Sequence, residues 1–552
     1  MIVEQTLEME AYMARSFSRR NLLKLGSTAA AGLLVPSLGQ MGIAQGRPRP
    51  PFMIYPVYDQ DPLNLEGRER KILVIGGGLA GMSAALELSE RGYQVTLREA
   101  QGQLGGRLAT RDERTTQGNF RVEHGLHMWF GNYHNFKDVR SRLGIDRFFK
   151  SHNETHFTFR DYKDEILTSD PPSYPMNLIK LLERSPNFNL FSAFNQLGLL
   201  GDVLYYDHWS VYERFDDVTF ANWAKGRVSK SFYEILLQPA ASVTLNDPEK
   251  ISAAEMIMFM HFFMMSDPKA MWREVTTVDH GTAVIDPWAN YLRSQGVNIL
   301  LNSPTGGLRV SGERIIGTMD DPQDYDGVIL ATSVAGIQSI LANSEHRSES
   351  DWAKERFDQL RTRLLGLEVA PPYKVLRVWL DKSTRAGRPD ILETPQHKPV
   401  NLIALYHLLE DEYREWAERT GGSVMELHLY ADERWGRLSD DEAYQLALPI
   451  LNELYPELRG AQVLDLSVGT YHDFTSFETG QGAIRPASDT PWIEYQMQGL
   501  AFAGDWVSTE YPSALMEKAV ATGREAANHF LLEDRVRQVP IKATSRRGPG
   551  LL

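Results

Sequence analysis

The sequence predicts an α/β fold in which a Rossmann-type dinucleotide-binding lobe is interleaved with a mixed α+β lobe. Three observations lead to this prediction. A strand, a glycine turn and a helix follow one another at 71–91, a second strand and helix follow at 499–532, and strand and helix patterns alternate between them. The chain has 552 residues. A single hydrophobic core stops growing near about 250–300 residues, so two lobes are expected.

Composition and charge narrow the classes of function. Hydrophobic residues make up 42% and charged residues 24%, as in soluble globular proteins. The formal net charge of -14 argues against a nucleic-acid partner, because phosphate binding needs a basic surface. The absence of cysteine excludes disulfides, thiolate metal sites, cysteine nucleophiles and the attachment of a cofactor to cysteine.

Residues 1–45 have the pattern of a twin-arginine export signal. Ser18-Arg19-Arg20-Asn21-Leu22-Leu23-Lys24 carries the arginine pair, and a mildly apolar stretch follows from Leu25 to Leu38. Residues 46–70 are rich in proline and charge, which predicts a linker. We expect export in the folded state, cleavage near Ala44, and a protein that is periplasmic or peripheral on the membrane. The alternative is a disordered tail with a chance arginine pair.

The first dinucleotide motif is a strand at Lys71–Ile75, a glycine turn and a helix. Gly76 permits the tight turn, Gly78 lets a pyrophosphate approach the backbone, and Gly81 lets the helix pack against the strand. The phosphates would lie at the positive end of the helix, beside Leu79 and Ala80. Glu99 ends the next strand, a spacing that suits a ribose hydroxyl. The alternative is a glycine turn without a ligand.

Two further segments favour FAD as the dinucleotide. Leu104-Gly105-Gly106-Arg107 adds two glycines and a cation that can hold phosphate or flavin oxygens. Near the C-terminus, a buried strand ends in Gly504-Asp505, where the carboxylate can bind a ribityl hydroxyl. A helix then opens at Ala514 and Met516, and its N-terminus can stabilise negative charge at the flavin N1/C2 carbonyl.

These motifs together resemble the amine oxidase and phytoene desaturase superfamily of glutathione-reductase-like flavoproteins. The segment Val122-Glu123-His124-Gly125-Leu126-His127-Met128-Trp129-Phe130-Gly131-Asn132-Tyr133-His134-Asn135 is similar to one in plant- and cyanobacterial-type phytoene and ζ-carotene desaturases. Gly504-Asp505-Trp506 is also similar to hydroxysqualene dehydroxylases. The resemblance implies FAD between two lobes. It also implies hydride removal from an allylic carbon of a polyisoprenoid, with electrons passed to a quinone or oxygen.

The resemblance also implies where particular residues lie relative to the cofactor, and the chain departs from the family in two respects. It places His124 and Gly125 beside the flavin, and it places Thr305 where relatives carry an apolar residue over the adenine. Twin-arginine export is unusual for this family. The expected FAD-binding parts are 71–155, 271–340 and 481–534, the substrate-domain parts are 156–270 and 341–480, and 535–552 is expected to be a frayed tail.

Several segments leave alternatives open. Patterns at 297–301, 314–318 and 327–331 predict strands of a later sheet, and 213–270 predicts long helices. The methionine-rich stretch 254–265 is interpreted as a buried helix rather than the wall of a lipid tunnel. Residues 190–206 could form a helix that dips into a membrane.

No metal site is expected from His124, His127 and His134, because no carboxylate cluster accompanies them. No catalytic residue is assigned either, since the flavin itself carries the difficult step.

The leading hypothesis is a desaturase acting on a lipid-like substrate, with possible peripheral membrane contact. A second is an amine or amino-acid oxidase with Trp506 and Tyr511 in an aromatic cage. A third is a lipid-binding protein that has lost the flavin.

Overall fold

The computed structural model describes residues 58, 60–170, 176–188, 197–346 and 350–549. The twin-arginine segment and most of the predicted linker lie outside these residues, as does part of the predicted membrane-dipping stretch. Among the described residues, no helix combines the length and the apolar character needed to cross a bilayer.

The strands are numbered in chain order. They are β1 Lys71–Ile75, β2 Gln94–Arg98, β3 Thr110–Thr115, β4 Gly118–Glu123, β5 Trp129–Phe130, β6 Phe149–Ser151, β7 Glu154–Phe157, β8 Glu165–Thr168, β9 Arg273–Thr276, β10 Asn298–Leu300, β11 Leu308–Ser311, β12 Arg314–Thr318, β13 Gly327–Leu330, β14 Glu345–His346, β15 Tyr373–Leu380, β16 Ile391–Glu393, β17 Leu402–Leu405, β18 Ser423–Leu429, β19 Val463–Tyr471 and β20 Leu500–Phe502.

The α-helices follow the same convention. They are α1 Leu79–Ser89, α2 His134–Leu143, α3 Met176–Arg184, α4 Leu197–Leu204, α5 His208–Phe215, α6 Phe220–Ala224, α7 Lys230–Phe232, α8 Gln238–Ser242, α9 Ala253–Met264, α10 Asp286–Ser294, α11 Val334–Ala342, α12 Asp351–Leu365, α13 Tyr406–Leu409, α14 Asp411–Thr420, α15 Asp440–Leu454, α16 Gln481–Ile484, α17 Thr490–Ile493 and α18 Leu515–Glu533. The predicted long helices at 213–270 are therefore divided into short ones.

A five-stranded parallel sheet in the order β10-β2-β1-β13-β20 forms the dinucleotide-binding lobe. All its strands run in one direction, so the turn after β1, Glu99 after β2 and Asp505 after β20 meet at one edge. The prediction of a later sheet was wrong. Strand β10 pairs with β2 and β13 with β1 in the first sheet, and β12 pairs with β11 in a separate sheet. Periodicity predicts a strand but does not specify its partner.

A seven-stranded sheet in the order β19-β15-β18-β17-β16-β7-β8 forms the second lobe. It is antiparallel except where β7 lies parallel to β16. Because β7 and β8 come from 154–168 and the other strands from 373–471, the two lobes are interleaved along the chain. The predicted fold class is confirmed, while the exact domain boundaries stay a prediction.

Helices α1 and α18 cross closely beside the parallel sheet. A Cβ added at Gly523 would overlap the carbonyl oxygen of Ala80 and lie 2.7 Å from the Cβ of Ser83. The Ser83 hydroxyl donates to the Val520 carbonyl at 2.8 Å across the same contact. The helices can approach this closely because Gly523 has no side chain.

The C-terminal segment 535–549 packs against the domain, so the prediction of a frayed tail was wrong. The Lys542 amide donates to Asn135 Oδ1 at 3.0 Å, His261 Nε2 contacts the Ser545 carbonyl at 2.8 Å, and the Gly548 amide donates to the Tyr206 carbonyl at 2.7 Å. Long-range backbone hydrogen bonds hold the segment in place, and a local basic composition does not reveal them.

The helix crossing predicts opposite effects for two glycine substitutions. Gly523→Ala should lower the free energy of unfolding by about 1–3 kcal/mol, because the added methyl overlaps α1. Gly201→Ala, in α4, is the matched control. Its added Cβ meets nothing within 4 Å, so the better helix propensity of alanine should raise stability by up to about 1 kcal/mol. Urea unfolding checks both, and equal effects would contradict the packing argument.

Candidate active site

One cavity of about 1370 Å³ runs from the carboxyl edge of the parallel sheet to the face of the seven-stranded sheet. Small-molecule pockets usually measure about 300–1,000 Å³, so this cavity has room for a cofactor and a second ligand. Its first end is lined by the glycine motifs and its second by apolar helices.

The three predicted glycines of the first motif have different roles. Gly76 has a φ of +110°, and a Cβ there would lie 2.5 Å from the Ala331 carbonyl oxygen. A Cβ at Gly81 would overlap the Gly76 carbonyl oxygen, so this glycine serves helix packing. A Cβ at Gly78 would meet only the Gly106 Cα, at 4.0 Å. Gly78 therefore leaves space that faces the cavity.

The loop around Gly78 is arranged for an anion. Helix α1 begins at Leu79 without a side-chain cap, and its first residues line the cavity, so its first amides are suited to an anion there. Glu99 Oε2 accepts from the Gly77 amide at 2.6 Å, and Glu99 Oε1 accepts from the Gln101 amide at 2.8 Å. These bonds fix the carboxylate at the edge where a ribose would lie.

The second predicted glycine pair is joined to the C-terminal strand. The Gly105 amide donates to the Gly77 carbonyl at 2.8 Å, and Arg107 Nη2 donates to Asp505 Oδ1 at 2.6 Å. Burial acts to raise the pKa of Asp505, but the Arg107 guanidinium outweighs it, and the pKa lies below its usual range. The pair thus stays ionised and ties the two dinucleotide-binding segments together at the cavity wall.

Helix α18 presents a second uncapped N-terminus to the same cavity. Its N-cap, Ala514, makes no side-chain cap, and Leu515 adopts a φ of +54° where the chain enters the helix. Leu515 and Met516 line the cavity together with Gly504 and Asp505. The positive ends of α1 and α18 can therefore act on one ligand.

The segment that carries the family resemblance lines the middle of the cavity. The ring of His124 stacks on Tyr471, with centroids 3.4 Å apart. A Cβ at Gly125 would lie 3.3 Å from Val375 and 3.4 Å from His428. Burial is the main cause that lowers the pKa of His124 well below its usual value, and repulsion from His127 adds to it. Burial also lowers the pKa of His127, to about 3. Both imidazoles are neutral at pH 7.

His134 lies apart from this group, with Nε2 2.9 Å from Asp267 Oδ2. Within the described ranges, no group of three or more His, Asp and Glu side chains is placed to hold a metal ion.

Fourteen of the sixteen predicted site residues line this one cavity. They are Gly76, Gly78, Leu79, Ala80, Glu99, Gly105, Gly106, Arg107, His124, Gly125, Thr305, Gly504, Asp505 and Met516. Gly81 and Ala514 lie just outside, where they shape the starts of the two helices. The Thr305 hydroxyl is buried at the cavity wall and has no hydrogen-bond partner in the structure.

The sequence analysis did not predict which residues form the floor and the roof at the second end of the cavity. The floor is the seven-stranded sheet, where Val375, His428 and Glu393 face the cavity. The roof includes one face of α9, where Phe259, Met260 and Phe263 line the cavity. The interpretation of 254–265 as a plain buried helix was thus only half right: its other face is core. The high methionine content was the available signal.

The predicted aromatic cage does not form. Trp506 is fully buried, and its Nε1 donates to the Thr332 carbonyl at 2.9 Å. Tyr511 is buried as well, and neither side chain lines the cavity. The amine oxidase hypothesis therefore loses the two residues on which it rested.

A protein-family model described as flavin containing amine oxidoreductase matches residues 79–531. The chain belongs to this family. Carotenoid phi-ring synthase from Streptomyces griseus is 29% identical to it over 86% of this chain and 90% of the relative. Zeta-carotene desaturase from Solanum lycopersicum is 24% identical over 86% of this chain and 83% of the relative. The predicted superfamily is confirmed.

A solved structure of cyclohexylamine oxidase from Brevibacterium oxydans shares the fold, with a TM-score of 0.57 and 15% identity over 84% of this chain and 99% of that one. Membership of this family makes the chain a flavin-dependent oxidoreductase. The site fits a flavin, since two uncapped helix N-termini and the open space at Gly78 meet in one cavity.

The space at Gly78 predicts a folded but colourless variant. Gly78→Val should keep the stability of the flavin-free protein, because the added Cβ meets only the Gly106 Cα, at 4.0 Å, yet the side chain should fill the place of the phosphates. The visible spectrum and thermal unfolding of the purified variant measure the two effects. Gly201→Ala should stay yellow, and a yellow Gly78→Val protein would refute this placement.

The buried histidines predict acid sensitivity. Burial lowers the pKa of His280 to about 3, so it stays neutral in the folded protein, while the unfolded chain protonates it below about pH 6.5. Its contribution to stability is complete above pH 6.5 and is lost as pH falls. His280→Gln should reduce the slope of unfolding free energy between pH 4 and 6 by about 1.4 kcal/mol per pH unit. Urea unfolding at several pH values measures the slope, and an unaltered slope would disprove the assignment.

Proposed function

We propose that the protein is an FAD-dependent oxidoreductase that desaturates a carotenoid-like isoprenoid. An allylic carbon would give a hydride to N5 of the bound FAD, and the neighbouring carbon would release a proton as the double bond forms. The observation that carries the proposal is the single cavity, which joins the two dinucleotide-binding helix ends to an apolar arm. The names of the relatives, carotenoid phi-ring synthase and zeta-carotene desaturase, support a carotenoid-like substrate.

FAD is the flavin that the cavity favours. Beyond the phosphate loop, Glu99 and Thr305 line a further extension that would hold a ribose and a base. Arg107, Asp505 and the start of α18 lie toward the other lobe, where the ribityl chain and ring would be bound. We infer that each of the predicted cofactor residues keeps the role that the sequence suggested for it.

The chain's own residues bind and shield the substrate. When bound, the flavin supplies the hydride acceptor. Apolar side chains on α3, α7 to α9 and the sheet form the arm and exclude water from the reacting carbon; among them are Leu178, Leu182, Phe232, Phe259, Phe263 and Met264. Neutral His124 and His127 add no charge beside the ring. The electrons then pass to a quinone or to oxygen.

The mouth of the arm supports delivery of a lipid. Ile166 and Val243 line the cavity and are also 48% and 38% exposed at the surface. Met176 and Ile179, on the first turn of α3, are exposed beside Leu178, which lines the cavity. An apolar rim of this kind suits peripheral contact with a membrane, from which an isoprenoid could enter without crossing water.

Turnover tests the proposal directly. Phytoene, ζ-carotene or squalene derivatives, mixed anaerobically with the yellow protein, should bleach the flavin, and a quinone should restore its colour. Phe259→Arg should keep the flavin and slow bleaching at least about 100-fold, because a charge in the apolar arm is costly. Phe259→Leu is the matched apolar control. Hydrogen peroxide formed from an amine, with no bleaching by any isoprenoid, would favour an amine oxidase instead.

We further propose export by the twin-arginine route. The arginine pair at Arg19-Arg20 and the apolar stretch after it support the proposal. Replacing both arginines by lysine should abolish the appearance of the folded protein in the periplasmic fraction. The same replacement at Arg47 and Arg49, in the linker, should have no effect. Equal export of both double variants would contradict the route.

A further inference from the structure

A row of register partners crosses the seven-stranded sheet and faces the cavity. The row consists of Val375, His428, Leu402, Glu393, Phe157 and Glu165. It begins beside Gly125, which contacts Val375 and His428. Neighbouring strands lie about 4.8 Å apart, so Glu393 is about 10 Å along the floor from His428. Polar groups thus alternate with apolar ones in the arm that would hold the substrate.

Glu393 is a buried acid without a partner. It is 8% exposed and lines the cavity, and among the described residues nothing hydrogen-bonds or ion-pairs with its carboxyl group. Glu165, in the same row, is bonded by the Ser185 hydroxyl and by Asn187 Nδ2 at 2.8 Å. Burial raises the pKa of Glu393 to about 8, although Arg273 acts in the opposite direction. A neutral carboxyl group can both donate and accept a hydrogen bond.

Arg273 supports the cavity wall beside Glu393. It is 5% exposed and lines the cavity. Its two terminal nitrogens donate to the Thr155 hydroxyl and to the Asn153 and Leu167 carbonyls. Its Nε atom is closed off from the cavity. The guanidinium is therefore held by the protein, and the Glu393 carboxyl group remains the one that can meet a ligand.

Tyr430 supplies an acceptor through a fixed chain of hydrogen bonds. Burial acts to raise the pKa of Glu426, but the Arg377 guanidinium outweighs it and the pKa falls to about 2. Glu426 is therefore ionised and can only accept hydrogen bonds. It accepts from His428 Nε2 at 2.7 Å. His428 Nδ1 lies 2.8 Å from the Tyr430 hydroxyl. Tyr430 lines the cavity near the Glu393 carboxyl group, and its phenol oxygen can accept a hydrogen bond.

We propose that Glu393 and Tyr430 form a polar subsite that binds a hydroxyl or carbonyl oxygen carried by the isoprenoid substrate. The assignment rests on the proposed function for the class of molecule, and it narrows that class to oxygenated isoprenoids. A carbonyl oxygen accepts from the neutral Glu393 carboxyl group. A hydroxyl accepts from Glu393 and donates to Tyr430. A pure hydrocarbon leaves the Glu393 carboxyl group unpaired.

Matched pairs of carotenoids test the subsite. The probes are β-carotene against its 4-keto derivative and lycopene against its 1-hydroxy derivative, in detergent with the flavin-loaded protein. Binding is measured by quenching of tryptophan fluorescence, and turnover by bleaching of the flavin. In at least one pair, the wild-type protein should bind the oxygenated member about tenfold more tightly. Glu393→Leu should reduce that preference to within about twofold, while Glu393→Gln should keep part of it.

Two controls separate the subsite from folding and from the proposed function. Glu165→Gln, in the same row, should keep the preference, because its partners lie in the protein. The flavin spectrum and thermal unfolding of each variant verify that it is folded. No preference in either pair, or a preference that survives Glu393→Leu, overturns the subsite. Absence of bleaching by every probe, with a preference that Glu393→Leu removes, overturns the proposed desaturation and leaves the subsite standing.

Discussion

The structure depends on the crossing of two helices whose N-termini meet at one cavity. Helices α1 and α18 both begin without a side-chain cap, so a ligand in the cavity can satisfy their first amides. Gly523 brings the two helices together, and the Arg107–Asp505 pair fixes the strand and turn that lead into them. Glu517, in the first turn of α18, accepts from the Asn135 and Phe136 amides and so attaches the start of α2. One arrangement of backbone dipoles thereby directs two positive helix ends at a single cavity.

Buried charges connect this centre to the second lobe. Arg377, on β15, donates to Glu123 at 2.8 Å and to Glu426 on β18. Glu426 also accepts from the Leu126 amide at 3.0 Å. The segment around Gly125 is therefore held between the glycine motifs and the seven-stranded sheet. Removing one partner would leave a buried charge without its counter-ion. The network therefore fixes the geometry of the cavity more than it adds stability.

The two lobes contribute different chemistry to the same cavity. The parallel sheet presents glycines and backbone amides, which suit phosphates, and the antiparallel sheet presents an alternation of polar and apolar side chains. Helices rich in methionine, leucine and phenylalanine cover the second end and form an adaptable apolar roof. The C-terminal segment then crosses from Asn135 to His261 and Tyr206 and holds this roof against the cofactor lobe. An apolar ligand could thus be held beside the flavin and away from water.

The sequence by itself determined the fold class and the family, and it predicted the residues that line one end of the cavity, because these depend on local chemistry. The turn at Gly76, the open position at Gly78 and the acidic strand ends at Glu99 and Asp505 are fixed by spacing within a few residues. Only the tertiary structure decided which side chains meet in the substrate arm. Glu393 lies on β16 and His428 on β18, and a shift of one residue in register would turn either side chain to the opposite face. Sheet order, the docked C-terminal segment and the burial of Trp506 likewise arise from long-range pairing, which no local pattern encodes.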